Sequence, residues 1–222
     1  MDKLVRKIEV PLARNAIQKA GLYLVPKERI GELAEVAMDA YLDYPLHNWF
    51  CGGKYDAETS RLLMEISLKT MTEDAVIYAD SEELNGFAAW LPLGFTGNKT
   101  LPFLINGGVK LFLHAGPSII GKLLTYETFA MNLKKKYTNH VDWYLYNLSV
   151  SRKAQGKGIA SKLIRPMLEF CDQENMVCYL ETNKDSNVSL YQHYDFELAE
   201  QKLIPKSKVM HYAMTRGPKP VK

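Results

Sequence analysis

Cysteine is scarce in this chain, and the three present, Cys51, Cys171 and Cys178, stand at spacings that suit no metal site. An odd number of thiols argues against a disulfide framework and fits a reducing, cytoplasmic setting. Charge of one sign is scarce too. A balance of 28 basic against 25 acidic residues leaves a net charge of +3, enough for an anionic ligand and too little for a nucleic-acid footprint. The first residues, Met-Asp-Lys-Leu-Val-Arg-Lys, hold no apolar core of a secretory signal. There is no internal repeat, no low-complexity segment, and no uncharged apolar run of about 18 to 20 residues. Residues 101–124 come nearest, but Asn106, Gly107, Gly108, Lys110, His114, Gly116 and Pro117 interrupt them. These absences exclude a stapled secreted domain, a zinc module, a nucleic-acid binder and a membrane span. What remains is an ordinary composition, 47% hydrophobic and 24% charged over 222 residues, sufficient for one domain with a sizeable core.

Residues 144–163 carry the strongest local signal. Residues 144–150 (Tyr-Leu-Tyr-Asn-Leu-Ser-Val) have the large apolar content of a strand. Gln155-Gly156-Lys157-Gly158 cannot continue it, because two close glycines remove packing and stiffness. From Ile159 onward, Ile159, Leu163, Met167 and Phe170 recur at helical spacing. A helix that begins at Gly-Lys-Gly offers free N–H groups and the positive end of its dipole to an anion, which makes a phosphate cradle. A Walker-type loop needs Gly-Lys followed by Ser or Thr, and Gly158 stands there instead, so a nucleoside triphosphate site is not expected.

Elsewhere the pattern predicts a polar and apolar mixture up to about Tyr23, then a helix opened by Pro26 with Ile30, Leu33, Val36, Ala37 and Tyr41 inward. An aromatic loop is expected over residues 44–50, a helix over Ala57–Met71, and strands over residues 75–78 and 86–91. Residues 101–124 read as two helices broken near Gly116-Pro117, either plain packing or a wall or lid of a pocket. Lys134-Lys-Lys136 reads as the solvated end of the second helix. A strand over residues 176–182 is followed by a short helix with Asn187 as its N-cap, bearing Leu190, Tyr191 and Tyr194. A hairpin around Pro205 closes the fold, and residues 217–222 read as a frayed tail. The succession of strand and helix after Tyr144 implies a mixed α/β sheet.

Two motifs in this part resemble a known family. Gln155-Gly-Lys-Gly-Ile-Ala160 is similar to the Gln/Arg-x-x-Gly-x-Gly/Ala signature of the GNAT superfamily of N-acetyltransferases, and Tyr191-Gln-His-Tyr-Asp-Phe196 to its Tyr-x-x-x-Gly-Phe segment. Leu180-Glu-Thr…Asn187-Val-Ser-Leu-Tyr191, with Pro166 in the preceding helix, most resembles the puromycin N-acetyltransferase branch. The resemblance covers residues 141–216; residues 1–140, on the acceptor side, carry none. The family's usual glycine before the phenylalanine is Asp195 here, a residue that tolerates left-handed angles.

The resemblance implies one α/β domain whose central sheet is mixed and largely antiparallel, flanked by helices. It also implies acetyl-CoA as co-substrate without a metal, and direct transfer of its acetyl group to an amine. Cofactor contacts then fall on Leu148, Ser149 and Val150 of the strand and on Gln155, Gly156, Lys157, Gly158, Ile159, Ala160 and Ser161 of the turn, with Asn187 beside them. Tyr191 is expected at the departing sulfur. Glu181 is the leading base, or else a carboxylate that only orients its neighbours. Asp142 and His47 are further candidates without motif support. The expected partner is a small-molecule amine, with no nucleic acid and no membrane; the residues leave the oligomeric state open. An acetyltransferase of protein amines and a non-catalytic acyl-CoA-binding regulator remain alternatives.

Overall fold

Alternating apolar residues form the sheet strands, and helices cover both faces. The computed structural model describes residues 2–92, 100–137 and 141–220, with side chains from residue 9 onward except that of Thr100. Its sheet runs β1 (Tyr23–Leu24), β2 (Val76–Ala79), β3 (Gly86–Pro92), β4 (Trp143–Val150), β5 (Cys178–Thr182), β7 (Met210–Arg216) and β6 (Glu197–Leu203) in that spatial order. Only β4 and β5 are parallel; every other neighbouring pair is antiparallel. The expected mixed, largely antiparallel sheet flanked by helices is present.

Strand periodicity sorts the core. Tyr78, Trp90, Trp143 and Leu180 face α1 (Asp2–Lys19) and α8 (Ile159–Gln173), where Ile17, Leu163, Met167 and Phe170 are buried with them. Ile77, Phe87, Leu91, Tyr144 and Tyr179 face the opposite layer, which includes Ile30, Leu33 and Ala37 of α2 (Ile30–Ala40). Each of these side chains contributes roughly 1.5–3 kcal/mol by burial. Polar atoms in the first layer are chained: Trp90 Nε1 donates to Tyr78 Oη (3.1 Å), which donates to the Leu163 carbonyl (2.7 Å). A third cluster joins α3 (Pro45–Phe50), α4 (Ala57–Met71), α6 (Val109–Ala115) and α7 (Pro117–Lys134) through Leu46, Phe50, Leu63, Ile66, Leu111 and Ile119. The short α5 (Thr100–Phe103) leads into α6 through a wider turn over Leu104–Gly108.

Several sequence expectations change. The first residues are a helix, because Ala13 and Ile17 find a buried surface against α8 that no local pattern announces. The aromatic loop is largely the helix α3, with Pro45 in its first turn, where a missing N–H costs nothing. Asn187 does not cap α9 (Asp185–Gln192); it lies inside the first turn, and its Nδ2 donates to Thr182 Oγ1 (3.1 Å). The tail is tied down as far as Lys219, whose amide donates to Asp172 (2.8 Å) and whose Nζ meets Asp195 (2.6 Å). The helix break falls at Gly116, as expected. Pro166 lies within an otherwise continuous α8. Asp195 adopts φ 66°, the left-handed geometry its place in the motif requires.

Candidate active site

β4 and β5 pair only through Trp143↔Cys178, Tyr144↔Tyr179 and Leu145↔Leu180 and then part. On its other side β4 continues along β3 to Gly86↔Val150, with Tyr146 as an extra residue where the register shifts between Ala89 and Trp90. Residues 146–150 therefore have a strand on one side and none on the β5 side. An extended ligand with its own amides can add there as a strand does.

Beyond Val150 the chain makes a single 3₁₀ turn over Arg152–Ala154, passes Gly156 (φ 76°) and enters α8 at Gly158 (φ 79°). Both glycines occupy left-handed geometry, and a Cβ at either would meet nothing within 4 Å, so backbone angle sets the requirement. Lys162 is the first helix residue whose amide finds a backbone acceptor, the Gly158 carbonyl (3.0 Å). The amides of residues 156–161 have none among the described residues. Gln155 Nε2 holds the Val150 carbonyl (3.1 Å), fastening the turn to the strand. Gly86 seats it from below: a Cβ there would lie 2.9 Å from both the Ser149 carbonyl oxygen and Ile159 Cγ2. That requirement is tertiary, and nothing local in the sequence marks it.

The side chains of the strand point to other tasks. Ser149 Oγ donates to Asn147 Oδ1 (2.7 Å), and Asn147 Nδ2 reaches Tyr41 Oη (3.3 Å). Ser161 Oγ is bonded to Tyr194 Oη (2.7 Å). Across the gap, Tyr44 Oη accepts from the Asn183 amide (2.8 Å) and meets Thr182 Oγ1 (3.1 Å), the atom Asn187 also serves.

Tyr191 is buried on α9 with its ring 6.0 Å from that of Phe196, and its hydroxyl makes no hydrogen bond among the described residues. Burial, with Tyr44 and Tyr194 adding to it, raises its pKa well above the ordinary phenol. The group is a neutral donor with its hydrogen bond unspent.

Glu181 is 4% exposed in its side chain, and its oxygens are occupied. Tyr144 donates to Oε2 (3.0 Å), Tyr179 donates to Oε1 (2.8 Å), Lys134 Nζ stands 3.9 Å from Oε2, and His211 Nε2 stands 3.8 Å from Oε1. Burial opposes its charge, but Lys134, His211 and Tyr179 prevail and hold the pKa down to about 2. Lys134 also lies 4.0 Å from the Tyr144 ring centre, so it is a half-buried member of this cluster and no fully solvated helix end. His211 is fully buried; Asn183 Nδ2 lies 3.3 Å from its Nδ1, and its Nε2 makes no hydrogen bond. Asp142 accepts from the Val177 amide (2.7 Å) at the start of the sheet. His47 is buried in α3, stacked on Tyr41 at 5.1 Å, with Nδ1 unpartnered. Burial lowers its pKa to about 4.

Lys134 and His211 escaped the sequence reading, the first hidden in a lysine run and the second in an ordinary strand. Among the described residues no group of three or more His, Cys, Asp or Glu is placed to hold a metal ion, and no helix is long and apolar enough to cross a membrane. A groove of about 560 Å³ lies beside α7 and the turn after β6, with Phe129, Leu133, Lys136, Lys202 and Pro205 among its walls. Tyr191, Glu181 and His211 do not line it.

Residues 119–196, from α7 through the divergent strands to Phe196, match the model of the Acetyltransferase (GNAT) family. An uncharacterized N-acetyltransferase of Schizosaccharomyces pombe is 28% identical over 182 residues, covering 73% of this chain and 68% of the relative. These findings support a GNAT superfamily acetyltransferase. GNAT-like architecture extends over nearly the whole chain. A Corynebacterium glutamicum structure, described as histone acetyltransferase HPA2 and related acetyltransferase, superposes with a TM-score of 0.57 at 17% identity, covering 90% of this chain and 97% of that one. Arylalkylamine N-acetyltransferase 2 of Aedes aegypti superposes with a TM-score of 0.56 at 20% identity, covering 89% and 98%.

Proposed function

We propose that the protein moves the acetyl group of acetyl-CoA to an amine of a small molecule by direct transfer in a ternary complex. The observation that carries this reading is the unspent hydroxyl of Tyr191 beside a strand gap that ends in an anion-binding turn. Family match and relative support acetyl transfer, and the N-acetyltransferase name of the yeast relative favours nitrogen as the acceptor atom. The Leu180-Glu-Thr…Asn187…Tyr191 pattern favours the puromycin-type branch.

In this reading the free amides of residues 156–161 and the α8 dipole bind the pyrophosphate, with Lys157 adding charge. Backbone of Leu148, Ser149 and Val150 pairs with the pantetheine amides, since Ser149 Oγ is already engaged by Asn147. Asn187 acts through Thr182, bracing the far side of the gap. A neutral amine nitrogen attacks the thioester carbonyl, the C–N bond forms and the C–S bond breaks. The nitrogen's surplus proton leaves to solvent, and the thiolate is protonated in the end through Tyr191, which regains its own proton from solvent. An ordinary thiol titrates about 1.5 units below a phenol, and burial widens that difference, so Tyr191 serves first as a hydrogen-bond donor to the developing charge. An amide near Val150 is the donor we assign to the carbonyl oxygen.

Glu181 takes the orienting role in preference to that of base. Its low pKa and two tyrosine donors make it a poor proton acceptor, and it fixes Tyr144, Lys134 and His211 around the acceptor. The test is release of free CoA from acetyl-CoA with a panel of aminonucleosides, polyamines and peptides. Transfer to a small amine supports the reading. Transfer only to peptides overturns the small-molecule acceptor, and binding of acetyl-CoA without transfer to any amine replaces the enzyme with an acyl-CoA-binding regulator.

A further inference from the structure

Glu127 stands apart from the machinery just described. It is the first acidic residue after Glu83, and it lies on the α7 stripe Ile120, Leu123, Glu127, Ala130, Lys134, at spacings of three and four. A carboxylate stands out on a stripe otherwise filled by apolar residues and the half-buried Lys134. Among the described residues Glu127 has no hydrogen bond and no ion pair. It reaches solvent, yet protein crowds it, the condition of a group on the wall of a water-filled cleft. The enclosure raises its carboxyl above the usual range; Lys134 partly offsets this and Glu181 adds to it.

Its place in the cleft follows from the helix. Glu127 is two turns before Lys134 on one stripe, about 10 Å along the axis, while Lys134 reaches Glu181 at 3.9 Å. Tyr44 lies within electrostatic reach of both Tyr191 and Glu181. The Glu127 charge is felt at Glu181, Tyr126 and Tyr146. Glu127 therefore shares the α7 face of Lys134 and stands about two helical turns from the Lys134–Glu181 pair.

Lys134 stands against Glu181, and Glu127 has no cation in contact with it among the described residues. Tyr126, Tyr144 and Tyr146 supply ring faces that favour a cation. A second sign of a ligand is His211, fully buried and edge-on against Tyr126 at 6.0 Å, whose Nε2 stands 3.8 Å from Glu181 Oε1 and makes no hydrogen bond among the described residues. We propose that Glu127 is the counter-ion of a second cationic group on the acceptor, so that the site takes diamine-like compounds, one nitrogen reacting and the other held as ammonium. This rests on the acetyl-transfer reading above and adds the acceptor's chemical class.

The test uses the full chain, acetyl-CoA and three six-carbon amines that differ only at the far end: 1,6-diaminohexane, hexylamine and 6-aminohexanoate. Release of CoA gives kcat/KM for each, in the parent and in Glu127→Gln, which keeps the shape and removes the charge. Expected in the parent is a preference for the diamine over hexylamine of about 10- to 100-fold, with the amino acid poorest. Glu127→Gln should bring the diamine to within about threefold of hexylamine, chiefly by raising KM, as loss of a ground-state contact does. Folding is controlled by the melting temperature, and Glu127 has no bond whose loss would move it. Equal use of diamine and hexylamine by the parent, or an intact diamine preference in Glu127→Gln, overturns the inference and leaves acetyl transfer standing. Failure of all three amines also overturns it, and acetyl transfer itself falls only if the wider amine panel fails as well.

Discussion

Residues 150–161 bring together the strand end, the glycine turn and the first turn of α8 in one continuous run. The acceptor side does the opposite. Tyr44, Tyr126, Glu127, Lys134, Tyr144, Glu181 and His211 arrive from the start of α3, from α7 and from three strands. In the first region the polar groups are free backbone amides whose direction follows from two left-handed glycines and a helix dipole. In the second they are side chains whose electrostatics depend on neighbours far away in sequence, as when Lys134 and His211 overcome the burial of Glu181. The helical arm belongs to neither region, and its Leu101, Ile105 and Leu113 are 65, 74 and 77% exposed. The comparison teaches that backbone chemistry for a common cofactor can be written locally, whereas acceptor choice is a property of the assembled fold.

Gly158→Glu strikes the first region hardest. Acetyl-CoA at about 100 times its Kd should stabilise the folded chain by about 2.7 kcal/mol, a rise in Tm of roughly 5–10 °C for a chain of this size. A Cβ and a negative charge at the anion turn, where φ is 79°, should abolish that rise. Leu113→Glu, as drastic a change on the exposed arm, should leave it in place. Differential scanning with and without acetyl-CoA decides; no rise in the parent protein would remove the cofactor assignment.

Tyr191 belongs to neither region alone, since it hangs from α9 across the gap. Replacement by Phe keeps the ring against Phe196 and removes a hydroxyl that bonds to nothing among the described residues, so folding and acetyl-CoA affinity should barely change. Turnover should fall by roughly 10- to 1000-fold. The lower bound sits below the usual range for general acid catalysis because a thiolate can leave unaided. Single-turnover transfer to an accepted amine separates chemistry from binding. A parent-like rate in Tyr191→Phe would reduce Tyr191 to a core aromatic.

Much of the fold was legible where period and punctuation agreed. α4 spans Ala57–Met71, as its apolar spacing predicts, and α8 opens at Ile159 where the glycines stop. The hairpin of β6 and β7 and the break at Gly116 were equally plain. α1 was not, because its inward residues acquire meaning only against α8. Asn187 looked like a cap because asparagine favours that position; the helix starts two residues earlier, and a tertiary bond to Thr182 claims the side chain. Lys134 was hidden by Lys135 and Lys136, since a charge run gives no hint that one member faces inward over a tyrosine. Glu127 did leave a trace, a lone carboxylate on an apolar helical stripe, and that trace gains meaning only once α7 is seen to wall the cleft.

The smallest effect expected is one of pH, and it belongs to the acceptor side. His47 is 4% exposed, stacked on Tyr41, with Tyr44 and Phe50 edge-on and no partner for Nδ1. Its pKa falls from 6.5 to about 4 because burial penalises the imidazolium. The folded value lies below the unfolded one, so the unfolded chain takes up the proton first. Stability is complete above about pH 6.5 and is lost as the pH falls toward about 4. At pH 5 the cost from this one residue is about 2 kcal/mol. Glu181, whose pKa is depressed to about 2, keeps its contribution above the unfolded carboxylate value of 4.5 and adds nothing between pH 7 and 5. His47→Phe retains the stacking and removes the titration. Urea unfolding at pH 7 and pH 5 should show the parent losing about 2 kcal/mol more than the variant. Equal losses would mean that His47 is already protonated in the folded chain, and that the aromatic stack beside the acceptor cleft tolerates a charge its burial argues against.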